Sequence, residues 1–194
     1  MKMKWNIAIG TCCILLLAAN IALIRQNQQL KSQLSVPAPT FEAPPGTQVP
    51  DLKGFDLAGK SLEVAYGKDP RKVLVLVFSP TCPFCDENWP KWQRIVPALD
   101  RDAVRPVAVD VTATTNQVFV SQHQLAGMPV FVKVDPTAVL GYRFHLTPQT
   151  ILVDREGKVE KVWTGVLNDA AVSELKQRLG GNKTASAPRD HAAF

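Results

Sequence analysis

Six consecutive apolar residues, Val73-Leu74-Val75-Leu76-Val77-Phe78, run directly into Ser79-Pro80-Thr81-Cys82-Pro83-Phe84-Cys85. An apolar run rich in β-branched residues, with charge before it and proline after it, predicts a strand buried on both faces. Behind the cysteines, Asp86 to Leu99 has helical content, with Trp89, Trp92, Ile95, Val96 and Leu99 spaced for one face. Cys82 and Cys85 therefore fall where a strand ends and a helix begins. Free backbone N–H groups and the positive end of the helix dipole gather there, and both favour a thiolate. A second cysteine three residues on can attack a mixed disulfide and release its partner. The pair is read as a dithiol/disulfide exchange site, with Cys82 attacking and Cys85 resolving.

Other uses of a C-x-x-C are weighed against this. A zinc site needs two further ligands. Cys12 and Cys13 lie in an apolar N-terminal segment, and His123 and His145 show no paired spacing. A purely structural disulfide over so short a loop would constrain the unfolded chain little. A copper-delivery module could use the same two thiols and stands as the alternative. A peroxidase would want a threonine three residues before its peroxidatic cysteine, and that position is Ser79.

The net charge of +5 is not spread over the chain. Between Gly46 and Gly180, 16 Lys/Arg stand against 15 Asp/Glu, a net +1. The excess lies in the two ends, so no basic face for nucleic acid is expected. Met1-Lys2-Met3-Lys4 precedes Trp5 to Ile24, which carries no charge. That length suits a bilayer span, and no good cleavage site comes after it. Residues 1–24 are read as a cytoplasmic start and an uncleaved, single-pass signal anchor. The remainder then faces the extracytoplasmic (periplasmic) side, where an exposed dithiol has redox work to do. Residues 25–45 are a polar linker that becomes Pro-rich, expected to be extended. Residues 181–194 are a small polar tail, expected to be disordered.

In the rest of the chain, Asp51 to Val64 reads as a hairpin around Ala58-Gly59-Lys60. Val104 to Val111 reads as a strand, Asn116 to Leu125 as a short helix, Met128 to Val134 as a strand, and Pro136 to Phe144 as a turn with one turn of helix. Thr150 to Asp154 and Val159 to Thr164 pair across Asp154-Arg155-Glu156-Gly157-Lys158. Asn168 caps a last helix with Val172, Leu175 and Leu179 on one face. The expected class is α/β, with a central mixed sheet covered by helices on both faces, an N-terminal hairpin and a helix-strand insertion.

With its C-x-x-C, this order resembles the thioredoxin fold, and more closely the membrane-anchored TlpA/ResA (redoxin) branch of thiol-disulfide oxidoreductases. The likeness spans about residues 46–180. It is carried by Val49-Pro50-Asp51-Leu52 to Gly59-Lys60-Ser61-Leu62, by Val77 to Cys85, by Leu146-Thr147-Pro148-Gln149-Thr150, and by Ile151 to Val159. The resemblance implies a cis-proline beside the cysteines. Pro129 and Pro148 compete; the strand, turn, strand and helix after Pro148 select it, with Thr147 as the contact residue before it. Pro83 and Phe84, between the cysteines, are expected to touch the client. The resemblance also implies that no cofactor is needed. Clients would be cysteine-containing exported proteins, among which the family counts apocytochromes c, with a membrane dithiol as electron donor or acceptor.

Some positions depart from the family pattern. Thr81 stands where tryptophan is usual. Leu76 falls where thioredoxins bury an ionisable residue. The branch often has glutamate three residues after the second cysteine; here that position is Asn88, with Glu87 one earlier as the candidate for proton transfer. One residue turns a side chain about 100° around a helix, so Glu87 is as readily a solvated first-turn acid. A Sco-like copper site would want C-x-x-x-C, and the spacing here is one short. His145 is expected at the surface, and Trp89, Trp92 and Trp163 in core or groove packing.

Overall fold

The computed structural model describes residues 16–28, 41–125 and 127–180. The chain divides into two units, Met1–Thr40 and Phe41–Phe194. In the first, residues 16–28 are helical. Among the described residues no helix is long and apolar enough to cross a membrane. Much of the expected span Trp5 to Ile24, most of the linker and the tail 181–194 lie outside the described residues.

In the second unit the buried strand organises everything else. β3 (Lys72–Phe78) has all of Val73 to Phe78 buried. Its alternate residues serve two cores. Val73, Val75 and Val77 pack with Leu52, Val64, Phe131 and Tyr142 on one face. Leu74, Leu76 and Phe78 pack with Cys85, Trp89 and Trp92 on the other. Five strands line up in the order β5-β4-β3-β6-β7, with a separate pair β1-β2. β1 is Leu52–Phe55 and β2 is Ser61–Val64. β4 (Val104–Asp110) runs parallel to β3, and β5 (Val130–Phe131) runs parallel to β4. β6 (Gln149–Val153) is antiparallel to β3, and β7 (Val159–Thr164) is antiparallel to β6. The expected mixed sheet is therefore present.

Four helices join these strands. α1 (Pro83–Ile95) comes after β3 and continues into a 3-10 turn, Val96–Ala98. It starts earlier than the expected Asp86 because Pro83 suits a first helical position. α2 is Gln117–Gln122, with the Asn116 side chain accepting from the Phe119 N–H. α3 is Pro136–Tyr142, capped by Asp135. α4 is Asp169–Gly180, and Asn168 accepts from the Ala171 N–H, as expected of its cap. Trp92 fixes α1 to the sheet by donating its indole N–H to Thr150 Oγ1 at 2.9 Å.

Two expectations change. The strand expected over Met128 to Val134 shortens to Val130–Phe131. Beyond it the chain leaves β4: Val132 exchanges both backbone hydrogen bonds with Phe55 of β1, and Lys133 turns into left-handed backbone at φ 53°. The single turn of helix expected within Pro136 to Phe144 extends to a seven-residue helix. Gly141 lies inside this helix, and the reason for glycine there is steric. A Cβ there would lie far inside van der Waals contact with Pro50 Cδ and 2.8 Å from Pro50 Cγ.

Gly141→Ala sets two effects against each other. Helix propensity favours alanine by about 1 kcal/mol. Forcing a methyl group into the rigid Pro50 ring costs about 1–3 kcal/mol. The clash is at a packed contact, so the substitution is expected to lower stability. Denaturant unfolding at unchanged m-value checks it, and a rise in the midpoint would contradict the steric account.

Candidate active site

The chain leaves β3, turns through Ser79 to Thr81, and enters α1 at a thiol. Ser79 Oγ and Thr81 Oγ1 are 3.1 Å apart, and the Thr81 N–H donates to Ser79 Oγ at 3.3 Å. The Cys82 N–H donates to the Ser79 carbonyl at 3.1 Å. Cys82 is the N-cap of α1, in extended backbone (φ −92°, ψ 114°), with Pro83 next. Its sulfur stands at the end of the helix, where the first N–H groups have no partner within the helix.

Across from the helix start, the Thr147–Pro148 peptide bond is cis. The Cys82 thiol donates to the Thr147 carbonyl at 3.5 Å. Pro148 is buried, and its carbonyl accepts from the Gly165 N–H at 2.8 Å. Two residues beyond Gly165, the Leu167 N–H donates to Asn88 Oδ1 at 2.9 Å. These bonds tie α1, the segment before β6 and the segment after β7 into one frame around the sulfur. Thr147, Pro148, Cys82 and Cys85 are thus brought together. Pro83 and Phe84 stand on the exposed first turn of α1, with Phe84 59% exposed. Leu146 and His145 are exposed beside the cis-proline.

Both cysteines are free thiols, and their surroundings differ. Partial burial pushes the Cys82 thiol up, but hydrogen bonds outweigh it. They come from the Thr147 hydroxyl, from Cys85 and from the Phe84 backbone, and they hold Cys82 below the ordinary thiol value. Cys85 is 0% exposed. Burial pushes its thiol up to about 12, opposed by the Ser79 N–H and assisted by the nearby Cys82. The helix terminus therefore favours the first thiolate, and the core disfavours the second.

The structure does not bring Glu87 to the buried thiol. Glu87 is exposed, and the residue turned into the core one turn after Cys85 is Asn88, at 0% exposure. Leu76 is buried in the same core as Cys85, among apolar side chains. Asn88 was legible as a departure from the pattern, but not as part of the site. A signal existed: it stands three after Cys85 and four before Trp92, both on the buried face. Asp110 was missed altogether. It is 1% exposed at the end of β4, where it accepts from the N–H groups of Thr112, Thr114 and Thr115. Those bonds hold its carboxyl below the usual range although burial raises it. His145 is exposed and Trp89, Trp92 and Trp163 are buried. Among the described residues no group of three or more His, Cys, Asp or Glu is placed to hold a metal ion.

The model of the AhpC/TSA family matches residues 45–162. The chain belongs to this family. It is 25% identical over 136 residues to the thiol-disulfide oxidoreductase ResA of Halalkalibacterium halodurans, covering 69% of this chain and 76% of that protein. A thiol:disulfide interchange protein from Bacteroides sp. shares the fold with a TM-score of 0.58 at 19% identity, over 75% of this chain and 95% of that one. StoA of Bacillus subtilis does so with a TM-score of 0.51 at 22% identity, over 67% and 97%. The fold of this family member is thioredoxin-like, of TlpA/ResA type, and its class is thiol-disulfide oxidoreductase.

The asymmetry of the thiols has a direct readout. Alkylation by iodoacetamide across pH should modify Cys82 first, with a midpoint below the ordinary thiol range of about 8.5. Cys85, followed separately by peptide mapping, should stay protected until pH approaches about 12. Equal protection of both thiols at pH 7 would contradict the geometry.

Proposed function

We propose that this protein is a membrane-anchored, extracytoplasmic thiol-disulfide oxidoreductase that exchanges electrons with cysteines of exported proteins through Cys82 and Cys85. The observation that carries it is the division between the thiols. Cys82 is partly exposed at a helix start and held toward the thiolate, while Cys85 is buried one turn below it. The Cys82 thiolate attacks a client disulfide and forms a mixed disulfide. Cys85 then attacks the Cys82 sulfur, the client leaves reduced, and a Cys82–Cys85 disulfide remains. The reverse sequence oxidises a client dithiol. Electrons come from or go to a second dithiol, in the membrane, so the chemistry calls for no cofactor.

The same frame supplies the client contacts. Thr147 and Pro148 present the backbone edge against which an extended client segment lies. Pro83 and Phe84 give it an apolar shoulder beside the sulfur. The anchor is Trp5 to Ile24, and the reading is supported by its uncharged length, by Lys2 and Lys4 before it, and by the oxidising compartment a dithiol of this kind serves. Labelling intact cells with a membrane-impermeant maleimide is expected to modify Cys82; protection until the membrane is broken would place the domain on the other side.

Two single variants test the exchange. Cys85→Ser is expected to accumulate a covalent adduct with a disulfide-containing client, visible on non-reducing electrophoresis and dissolved by reductant. Cys82→Ser is expected to trap at least tenfold less. The reverse pattern would exchange the roles of attacker and resolver.

A further inference from the structure

The resolving step has a directional requirement. Cys85 attacks the Cys82 sulfur while the client sulfur leaves from the far side, so the three sulfurs must fall near one line. Cys82 caps α1 and Cys85 lies in its first turn. The client sulfur is placed by the client segment along Thr147 and Pro148. The angle at the Cys82 sulfur is therefore set by how α1 sits against the cis-proline wall. A misplacement of about 1 Å costs on the order of a hundredfold in rate.

One link between these two bodies is lost as soon as the reaction begins. The Cys82 thiol donates to the Thr147 carbonyl at 3.5 Å. As a thiolate, and then as half of a mixed disulfide, Cys82 has no proton to donate. A second link does not involve the thiols. It runs through a strap, residues 165–168, between β7 and α4. The Gly165 N–H donates to the Pro148 carbonyl at 2.8 Å from left-handed backbone (φ 85°), which suits glycine. Just before it, Thr164 pairs in register with Gln149, the residue after the cis-proline, and the Gln149 amide donates to Thr164 Oγ1 at 3.4 Å. Further along the strap, the Leu167 N–H donates to Asn88 Oδ1 at 2.9 Å, and the Leu167 side chain is buried in the same core as Cys85. Asn168 then caps α4.

Asn88 is where α1 meets this strap. It is 0% exposed, and the atom it uses is the oxygen; Nδ2 is buried without a hydrogen-bond partner. An apolar side chain of similar size would fill the space but leave the Leu167 N–H buried and unpaired. The Trp92 bond to Thr150 lies one turn further along α1 and reaches the sheet itself. Asn88 holds the helix nearer the cysteines, and it holds it to the wall.

We propose that Asn88 is a positioning residue for the resolving step: through Leu167 and Gly165 it keeps α1 in register with the Thr147–Pro148 wall after the Cys82–Thr147 bond is gone, and so aligns Cys85 with the bond between Cys82 and a wall-bound client. This inference rests on the exchange reading above. The step balances. Cys85 gives its proton to solvent and its thiolate attacks the Cys82 sulfur. The Cys82–client bond breaks, the Cys82–Cys85 bond forms, and the client sulfur leaves as a thiolate with the electron pair. The client is reduced and the two cysteines are oxidised. Alignment matters for a client held by the wall. A hydroxyethyl adduct has no backbone to lie along Thr147 and Pro148, and its sulfur swings freely into line.

The test uses the full chain, reduced, with two symmetric disulfides. One is a single-cysteine peptide linked to its own copy; the other is hydroxyethyl disulfide. Acid quenching and mass spectrometry follow the decay of each Cys82 adduct. The readout is the ratio of the two decay rates, in which a general loosening of the fold or a changed acidity of Cys85 cancels. Asn88→Leu should lower the peptide-to-hydroxyethyl ratio by about tenfold or more. Asn88→Asp keeps an oxygen for the Leu167 N–H and should return the ratio to within about threefold of wild type. An unchanged ratio in Asn88→Leu, or one that Asn88→Asp lowers as far, overturns this inference and leaves the exchange reading standing. If Asn88→Leu does not fold, amide exchange decides. In Cys85→Ser carrying the trapped peptide, the Leu167 N–H should exchange no faster than in the free reduced protein. Faster exchange in the adduct overturns the inference, because the bond would be open at the step it serves. Failure of Cys85→Ser to form an adduct with either disulfide overturns both readings.

Discussion

The site depends on how β3 hands its chain to α1. A strand buried on both faces is held rigidly, and its last residue fixes where the next helix can begin. Phe78 is buried, and Pro83 is already helical. Only four residues lie between them, so Cys82 has no freedom to move away from the helix start. The same constraint sends Cys85 inward. Three residues on, it completes nearly a full turn and meets Leu76 and Phe78 from above. One thiol at the rim and one in the core are thus the product of a strand end and a helical pitch.

The opposite wall of the site is held by backbone. Pro148 gives its carbonyl to Gly165, and Leu167 gives its N–H to Asn88. Gln149, directly after the cis-proline, pairs in register with Val77 of β3. The cis-proline segment is therefore placed by the strand that also places the cysteines. Trp92 to Thr150 adds a second link from α1 to β6. A neutral buried hydrogen bond contributes only about 1 kcal/mol, so the role of these links is geometry more than stability.

The sequence was informative where one physical effect dominated. The apolar run Val73 to Phe78 could be nothing but a buried strand, and Asn168 was a cap because its side chain has a local use for the free N–H groups. Pro148 was separable from Pro129 by the strand, turn, strand and helix that come after it. Legibility failed where long-range contacts decide. β5 ends after two residues because Val132 finds Phe55, seventy-seven positions earlier in the chain. Position 141 takes a glycine inside a helix because Pro50 lies against it. Asn88 belongs to the site because its acceptor meets a loop seventy-nine residues away. No local pattern encodes those meetings.

Two buried polar side chains near the top of the sheet show how differently such groups can be used. Asp110 is a charge in the interior, and the chain supplies the N–H groups of Thr112, Thr114 and Thr115 and the Thr112 hydroxyl to hold it. Fully met, it fixes the loop after β4 and stays ionised. Asn88 is neutral and only half met. Leaving a buried amide donor without a partner costs about 1–3 kcal/mol. What Asn88 supplies is position: its Oδ1 accepts the Leu167 N–H, and that bond holds α1 against the segment after β7, where Gly165 in turn donates to the Pro148 carbonyl.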